Sequence, residues 1–313
     1  MFEKDEMLQG ELYNGGDSKM IINVSGRTDI VAFYSEWFMN RYKEGYIDIR
    51  NPFYPKQVSR LYMEDVDAIV FCTKNPKPLL GYIDSIEKPV NVQVTLTGYQ
   101  TDIEPNVPDK KEIIEAIKKL SAKIGKENVD LRYDPILIND KYTMDYHIRA
   151  FEKLCTLLEG CCNRIIVSFV DEYKNVNKHS GLLKLIELSD DDKRKLARHL
   201  AESAHQHGFT IQTCYENIDL TAEGFSHDVC VGKELAQKLT GKTRFRKWQA
   251  RKCGCVEMVD IGYYNCCSHF CRYCYANYDE VKVNANKRMH NPKSSLLIGE
   301  LGADDIIKIR KSR

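Results

Sequence analysis

The chain of 313 residues lacks any apolar run approaching the ~20 residues needed to cross a bilayer, so no membrane span is expected. It also lacks an excess of either charge. Lys and Arg total 46 against 45 Asp and Glu, a formal net charge of +1, and no basic footprint points to sequence-independent nucleic-acid binding. The eight histidines form no HExxH spacing, which argues against a zinc site of that kind. No internal repeat or low-complexity tract is present. The first residues carry acids (Glu3, Asp5, Glu6) and no apolar core, unlike a secretory signal. Residues 1–19 read as a polar N-terminal extension, and Met20 could serve as an alternative start. A cytoplasmic protein without membrane or nucleic-acid partners is expected.

Cysteine, by contrast, is abundant. In a reducing compartment disulfides are disfavoured, so clustered thiols there more often bind metal or do chemistry. Of the 12 cysteines, Cys72, Cys155, Cys161, Cys162, Cys214 and Cys230 are scattered, as small buried hydrophobes would be. The other six (Cys253, Cys255, Cys266, Cys267, Cys271 and Cys274) crowd into one stretch, so that stretch is a candidate site.

From Met20 onward, short β-branched runs alternate with longer helical patterns. The strand-like runs are "MIINVSGRTDI", "DAIVFCTKNP", "VNVQVTLTGY", "VDLRYDPILI", "RIIVSFVDEY", "FTIQTCYEN" and "CVEMVDIGYYN". Between them lie helical segments such as "DKKEIIEAIKKLSAKIG", with Gly125 as its C-cap, and "SDDDKRKLARHLAESAHQHG", with a Ser/Asp start. Near-continuous apolar strands separated by helices predict parallel strands covered by helices. Six or seven such units predict a TIM-like α/β fold, a full or partial β/α barrel, as a single domain over 20–313. "GYIDIRNP" (45–52) is expected to be either a loop over the barrel mouth or an edge turn.

In such barrels chemistry gathers at the C-terminal ends of the strands. Those ends are polar throughout: Ser25, Arg27 and Asp29; Thr73, Lys74 and Asn75; Thr95, Thr97 and Tyr99; Arg132 and Asp134; Ser168 and Asp171; Tyr215 and Glu216. Each has an ordinary explanation, since strand ends meet solvent and Asp134–Pro135 starts a turn. Asp134 could also simply pair with Arg132. Together, a rim with both charge signs suits a polar small molecule. Arg132, Asp134 and Glu216 are the catalytic candidates, and Arg27, Asp29, Lys74, Asn75 and Tyr215 are the substrate-side candidates.

The last strand-like run leads into "NCCSHFCRYCYAN", with the spacing Cys267-x3-Cys271-x2-Cys274 and Tyr273 before the third cysteine. Three thiolates so spaced can converge on one centre, and residues 253–278 are the expected cluster-binding segment. Zinc would need a fourth ligand, which Cys253, Cys255, Cys266 or His269 could supply. An iron–sulfur cluster is the other soft-thiolate centre, and three cysteines leave one iron of a four-iron cluster open for another ligand. A zinc-clasped binding protein and an electron carrier with a fourth cysteine ligand are therefore alternatives to an enzyme.

Cys-x3-Cys-x2-Cys with an aromatic residue before the third cysteine resembles the motif of the radical S-adenosylmethionine superfamily. That resemblance implies a [4Fe-4S] cluster on Cys267, Cys271 and Cys274, with S-adenosyl-L-methionine on the open iron. It further implies a 5′-deoxyadenosyl radical that abstracts a substrate hydrogen, and an electron donor such as flavodoxin or ferredoxin. Tyr273 would lie near the adenine, and Asn277, Ser25, Thr97 and Ser168 are further candidates for cofactor contacts. The superfamily usually carries the motif after the first strand, whereas here it follows the last. First and last strands of a barrel are neighbours, which accommodates the change. From "INVSGRTDI" through "WFMNRYKEGYIDIRNPF", "VDAIVFCTKNP", "LRYDPI" and "SFVDEY" to "CRYCYANY", the chain resembles a family of bacterial proteins known as domain of unknown function 1848. The specific activity attached to this resemblance is queuine lyase, which would release 7-aminomethyl-7-deazaguanine from queuine in queuosine salvage. Asp134 and Glu216 would then accept from the donor edge of the deazaguanine.

Overall fold

In the computed structural model, which describes residues 20–171, 173–249 and 253–311, the apolar runs form strands in the expected order. The extension expected over 1–19 lies outside the described residues. The strands are β1 (Met20–Val24), β2 (Tyr46–Arg50), β3 (Gln57–Tyr62), β4 (Val66–Thr73), β5 (Val90–Thr95), β6 (Val129–Ile136), β7 (Arg164–Phe169), β8 (Thr210–Thr213), β9 (Met258–Asp260) and β10 (Ile306–Ile309). Seven of them make one sheet in the order β8-β7-β6-β5-β4-β1-β9. Every neighbouring pair in it is parallel, so all the C-terminal strand ends lie along one rim.

The helices that cover this sheet form where local chemistry starts and stops them. Lys110–Ile124 begins at Asp109, whose carboxylate accepts from the Lys111 amide, and ends at Gly125 with a positive φ of 86°. Its buried Ile113, Ile114, Ile117 and Leu120 make a stripe at helical spacing. Asp190–Gln206 starts at Ser189, which accepts from the Asp192 amide, and three acids in the first turn suit the positive end of the helix dipole. Met144–Leu158 is capped by Thr143 in the same way. These helices pack on one face of the sheet, where Ile69, Phe71, Val92, Val94, Leu131, Tyr133, Ile165 and Val167 join the main core. The other face carries Ile21, Ala68 and Val70, which pack against Val231, Ala236, Leu239, Trp248, Cys255 and Val256.

One sequence expectation is narrowed and a second changes. The α/β sheet forms, and of the full or partial barrel expected, strand pairing makes no closed barrel: among the described residues β8 and β9 are its edges. Both edges are short, and a non-regular segment lies between them. The Ser226 amide donates to the Ile211 carbonyl on β8, while the Val231 carbonyl accepts from Val256 just before β9. Second, "GYIDIRNP" is neither a loop nor a turn. It contains β2, which pairs antiparallel with β3 in a separate three-stranded sheet completed by β10. Ile47 is buried there, and Asp48 takes two hydrogen bonds from Arg60, so pairing partners distant in sequence determined the outcome.

Candidate functional site

The chain leaves the C-terminal end of β9 at Asp260 and enters the cysteine loop. Asp260 ties that exit to the end of β1: Ser25 donates to its carboxylate at 2.6 Å, the Gly26 amide donates at 3.0 Å, and Arg27 pairs with it at 3.2 Å. Gly262 passes so close that a Cβ there would stand 1.9 Å from the Ser25 hydroxyl, so only glycine fits. Asn265 and Phe270 take positive φ values of 53° and 56°, which turn the loop back on itself. Asn277 brackets Cys267, accepting from its amide and donating to its carbonyl.

The loop is fastened over the strand ends. Asp29 caps the short helix Ile30–Phe33 through the Ala32 amide, accepts from the Lys74 amide at 2.7 Å and meets His269 Nε2 at 3.0 Å. The other His269 nitrogen faces the Asn106 carbonyl at 3.2 Å, and the Arg272 amide donates to Ile103. Glu104 is the hub of this contact, 2% exposed. It accepts from Lys74 at 2.8 Å, from Thr97 at 2.8 Å, and from Tyr273 and Lys110. Burial would raise the Glu104 carboxyl, but Lys74 and Lys110 bring it down to about 2. Burial likewise disfavours the charge on Lys74, and Glu104 and then Cys271 more than offset it.

Cys267 and Cys271 are buried and Cys274 is partly so. Burial pushes all three thiols up; Asp29, Cys274 and Cys271 raise Cys267 further, and Cys274 acts on Cys271 while Lys74 opposes. The three act on one another electrostatically, and as thiolates they would repel one another unless a cationic centre offset their charge. Among the described residues no group of three or more His, Cys, Asp or Glu is arranged to hold a single metal ion. A four-iron cluster offers a separate iron to each thiolate, so its ligands need not converge on one point. Cys266 points into the main core and donates to the Tyr263 carbonyl.

The remaining candidates lie on the β6–β8 side of the rim. Arg132 donates to Gln93 at 2.9 Å and pairs with Asp134, which also accepts from Ser168. Glu216 accepts from the Phe169 amide at 2.7 Å; burial first, then the nearby Asp171 and Asp134 charges, raise its carboxyl to about 7. Asp134 lies close enough to act electrostatically on both Lys74 and Glu216. Tyr215 is 48% exposed with φ 61°, and Asn75 is engaged in its own turn, accepting from the Lys77 amide.

A family described as Domain of unknown function (DUF1848) matches residues 21–276, most of the chain. The chain belongs to this family. No curated protein matches it. Among solved structures, a putative alpha-L-fucosidase from Bacteroides thetaiotaomicron is 10% identical, covering 88% of this chain and 95% of that one with a TM-score of 0.31. A putative phosphomethylpyrimidine kinase from the same organism is 11% identical, covering 66% and 65%, with a TM-score of 0.25. Neither likeness is close enough to carry an argument. In this DUF1848 chain the residues that sequence reasoning passed over are Glu104, Lys110 and Asp260. Asp260 had a signal, an acid directly before the cysteine loop. Glu104 had none, because it stands in an irregular loop 169 positions from Tyr273.

Proposed function

We propose that the protein is a radical S-adenosylmethionine enzyme acting on a polar small molecule. The observation that carries this reading is the fastening of the Cys267–Cys274 loop to the strand ends through Asp29, Glu104 and Asn106, beside Lys74. Cys267, Cys271 and Cys274 would hold a [4Fe-4S] cluster, which supplies the electron that cleaves S-adenosylmethionine and starts hydrogen abstraction. A flavodoxin or ferredoxin is the corresponding donor. Asn277 keeps Cys267 in place through its backbone, and Glu104 keeps Tyr273 and Lys74 in place. Glu216, with its carboxyl near neutrality, can give or take a proton at physiological pH.

Queuine is the specific substrate we propose. Its deazaguanine has an amine and ring N–H edge that carboxylates accept, and Asp134, already held by Arg132 and Ser168, and Glu216 are two of the acids on that side of the rim. Anaerobic reconstitution with iron and sulfide, followed by reductant, S-adenosylmethionine and queuine, tests both levels. The expected products are 5′-deoxyadenosine and 7-aminomethyl-7-deazaguanine. Formation of 5′-deoxyadenosine alone would remove queuine and keep the radical chemistry. A colourless protein holding one equivalent of zinc would overturn the reading.

A further inference from the structure

Four cysteines outside the Cys267–Cys274 loop come together beside the second face of the sheet. Cys230 and Cys255 have their sulfurs 3.1 Å apart. Cys214 lies close enough to act on the Cys230 thiol, and Cys253 on Cys255. Four thiolates on one zinc at ~2.3 Å would stand roughly 3.7 Å from one another. The observed pair is closer than that, and no three of the described groups are arranged around a single ion. A thiol pair one step from a covalent bond fits this spacing better than a metal shell.

The backbone around the pair is held. The Val256 amide donates to the Val231 carbonyl at 3.0 Å, so the two cysteine segments run side by side. The Cys230 carbonyl accepts from Gln93 at 2.9 Å and from Arg164 at 3.0 Å. Cys255 is 1% exposed, while Cys230 is partly exposed. The Arg132 charge nearby favours the Cys230 thiolate. Cys230 is thus the more exposed residue of the pair and the one beside the Arg132 charge.

We infer that Cys230 and Cys255 form a reversible dithiol–disulfide centre, with Cys230 attacking peroxide and Cys255 resolving the product. The Cys230 thiolate attacks one peroxide oxygen and the O–O bond breaks, leaving a sulfenic acid and hydroxide, which takes a proton to become water. The Cys255 sulfur then attacks the sulfenic sulfur, its proton leaves with the departing hydroxyl as a second water, and the S–S bond forms. The two sulfurs lose two electrons and hydrogen peroxide gains them. The neighbouring Cys214 and Cys255 thiols lower the Cys230 thiol below its usual range against the effect of burial, and Arg132 adds to this. The centre stands apart from the cluster reading and does not depend on it.

The test uses the full chain, reduced under nitrogen, treated with a small excess of hydrogen peroxide, alkylated with N-ethylmaleimide and mapped by mass spectrometry. A Cys230–Cys255 cross-linked peptide that dithiothreitol reverses is expected, and Cys72→Ser should still form it. In Cys255→Ser, a dimedone adduct on Cys230 should rise several-fold over wild type. The inference is overturned if both cysteines remain alkylated after peroxide, or if Cys230 bridges to Cys214 instead. It is also overturned if the purified protein carries stoichiometric zinc that Cys255→Ser loses. The wild-type mapping decides the matter even if a variant fails to fold.

Discussion

Replacing Glu104 with Gln removes the negative charge that Lys74 and Lys110 share and turns an amide toward a cation. Glu104 is 2% exposed, so water cannot take over the lost interactions. Breaking a buried ion pair by neutralising one partner costs ~3–5 kcal/mol. Lowering of the carboxyl from 4.5 to about 2 corresponds to on the order of 3 kcal/mol, in agreement. The Lys110 side chain is 30% exposed and can turn toward water, which favours the lower end of that range. A folded-state value below the unfolded one means stability that is present above pH 4.5 and lost as pH falls toward 2. Urea unfolding of Glu104→Gln against wild type should therefore show a loss of about 3 kcal/mol at pH 7 that shrinks steadily below pH 4.5. A loss under about 1 kcal/mol at pH 7, or one constant down to pH 3, would refute the reasoning.

Other outcomes follow from the same geometry. Cys271→Ala should lose the visible absorbance and iron of the reconstituted protein while Cys72→Ala keeps both, and full colour in the Cys271 variant would sink the cluster assignment. Asn277→Ala removes both backbone contacts to Cys267, so ~1–3 kcal/mol of stability and a large part of iron loading should go, as read by unfolding and iron content. Glu216 has the opposite sign to Glu104: its raised carboxyl contributes stability below pH 4.5 that is lost as pH climbs to about 7. Glu216→Gln should flatten the stability curve over that window, and superimposable curves would contradict the burial argument.

The strand–helix alternation, the helix caps at Ser189 and Gly125, and the polar strand ends were legible in the sequence because each depends on neighbours a few residues away. The cysteine spacing was legible for the same reason. Tertiary structure alone decided the rest. β2, β3 and β10 pair with one another rather than with the main sheet, and β8 and β9 remain edges, because strand pairing joins residues with no common local pattern. Ser25 and Asp260 meet across 235 positions, Glu104 and Tyr273 across 169, and Cys230 and Cys255 across 25. Periodicity describes which face of an element is apolar. Which distant polar groups share a buried space depends on how those faces pack, and that is why the Glu104 hub and the second group of thiols emerge only in the folded chain.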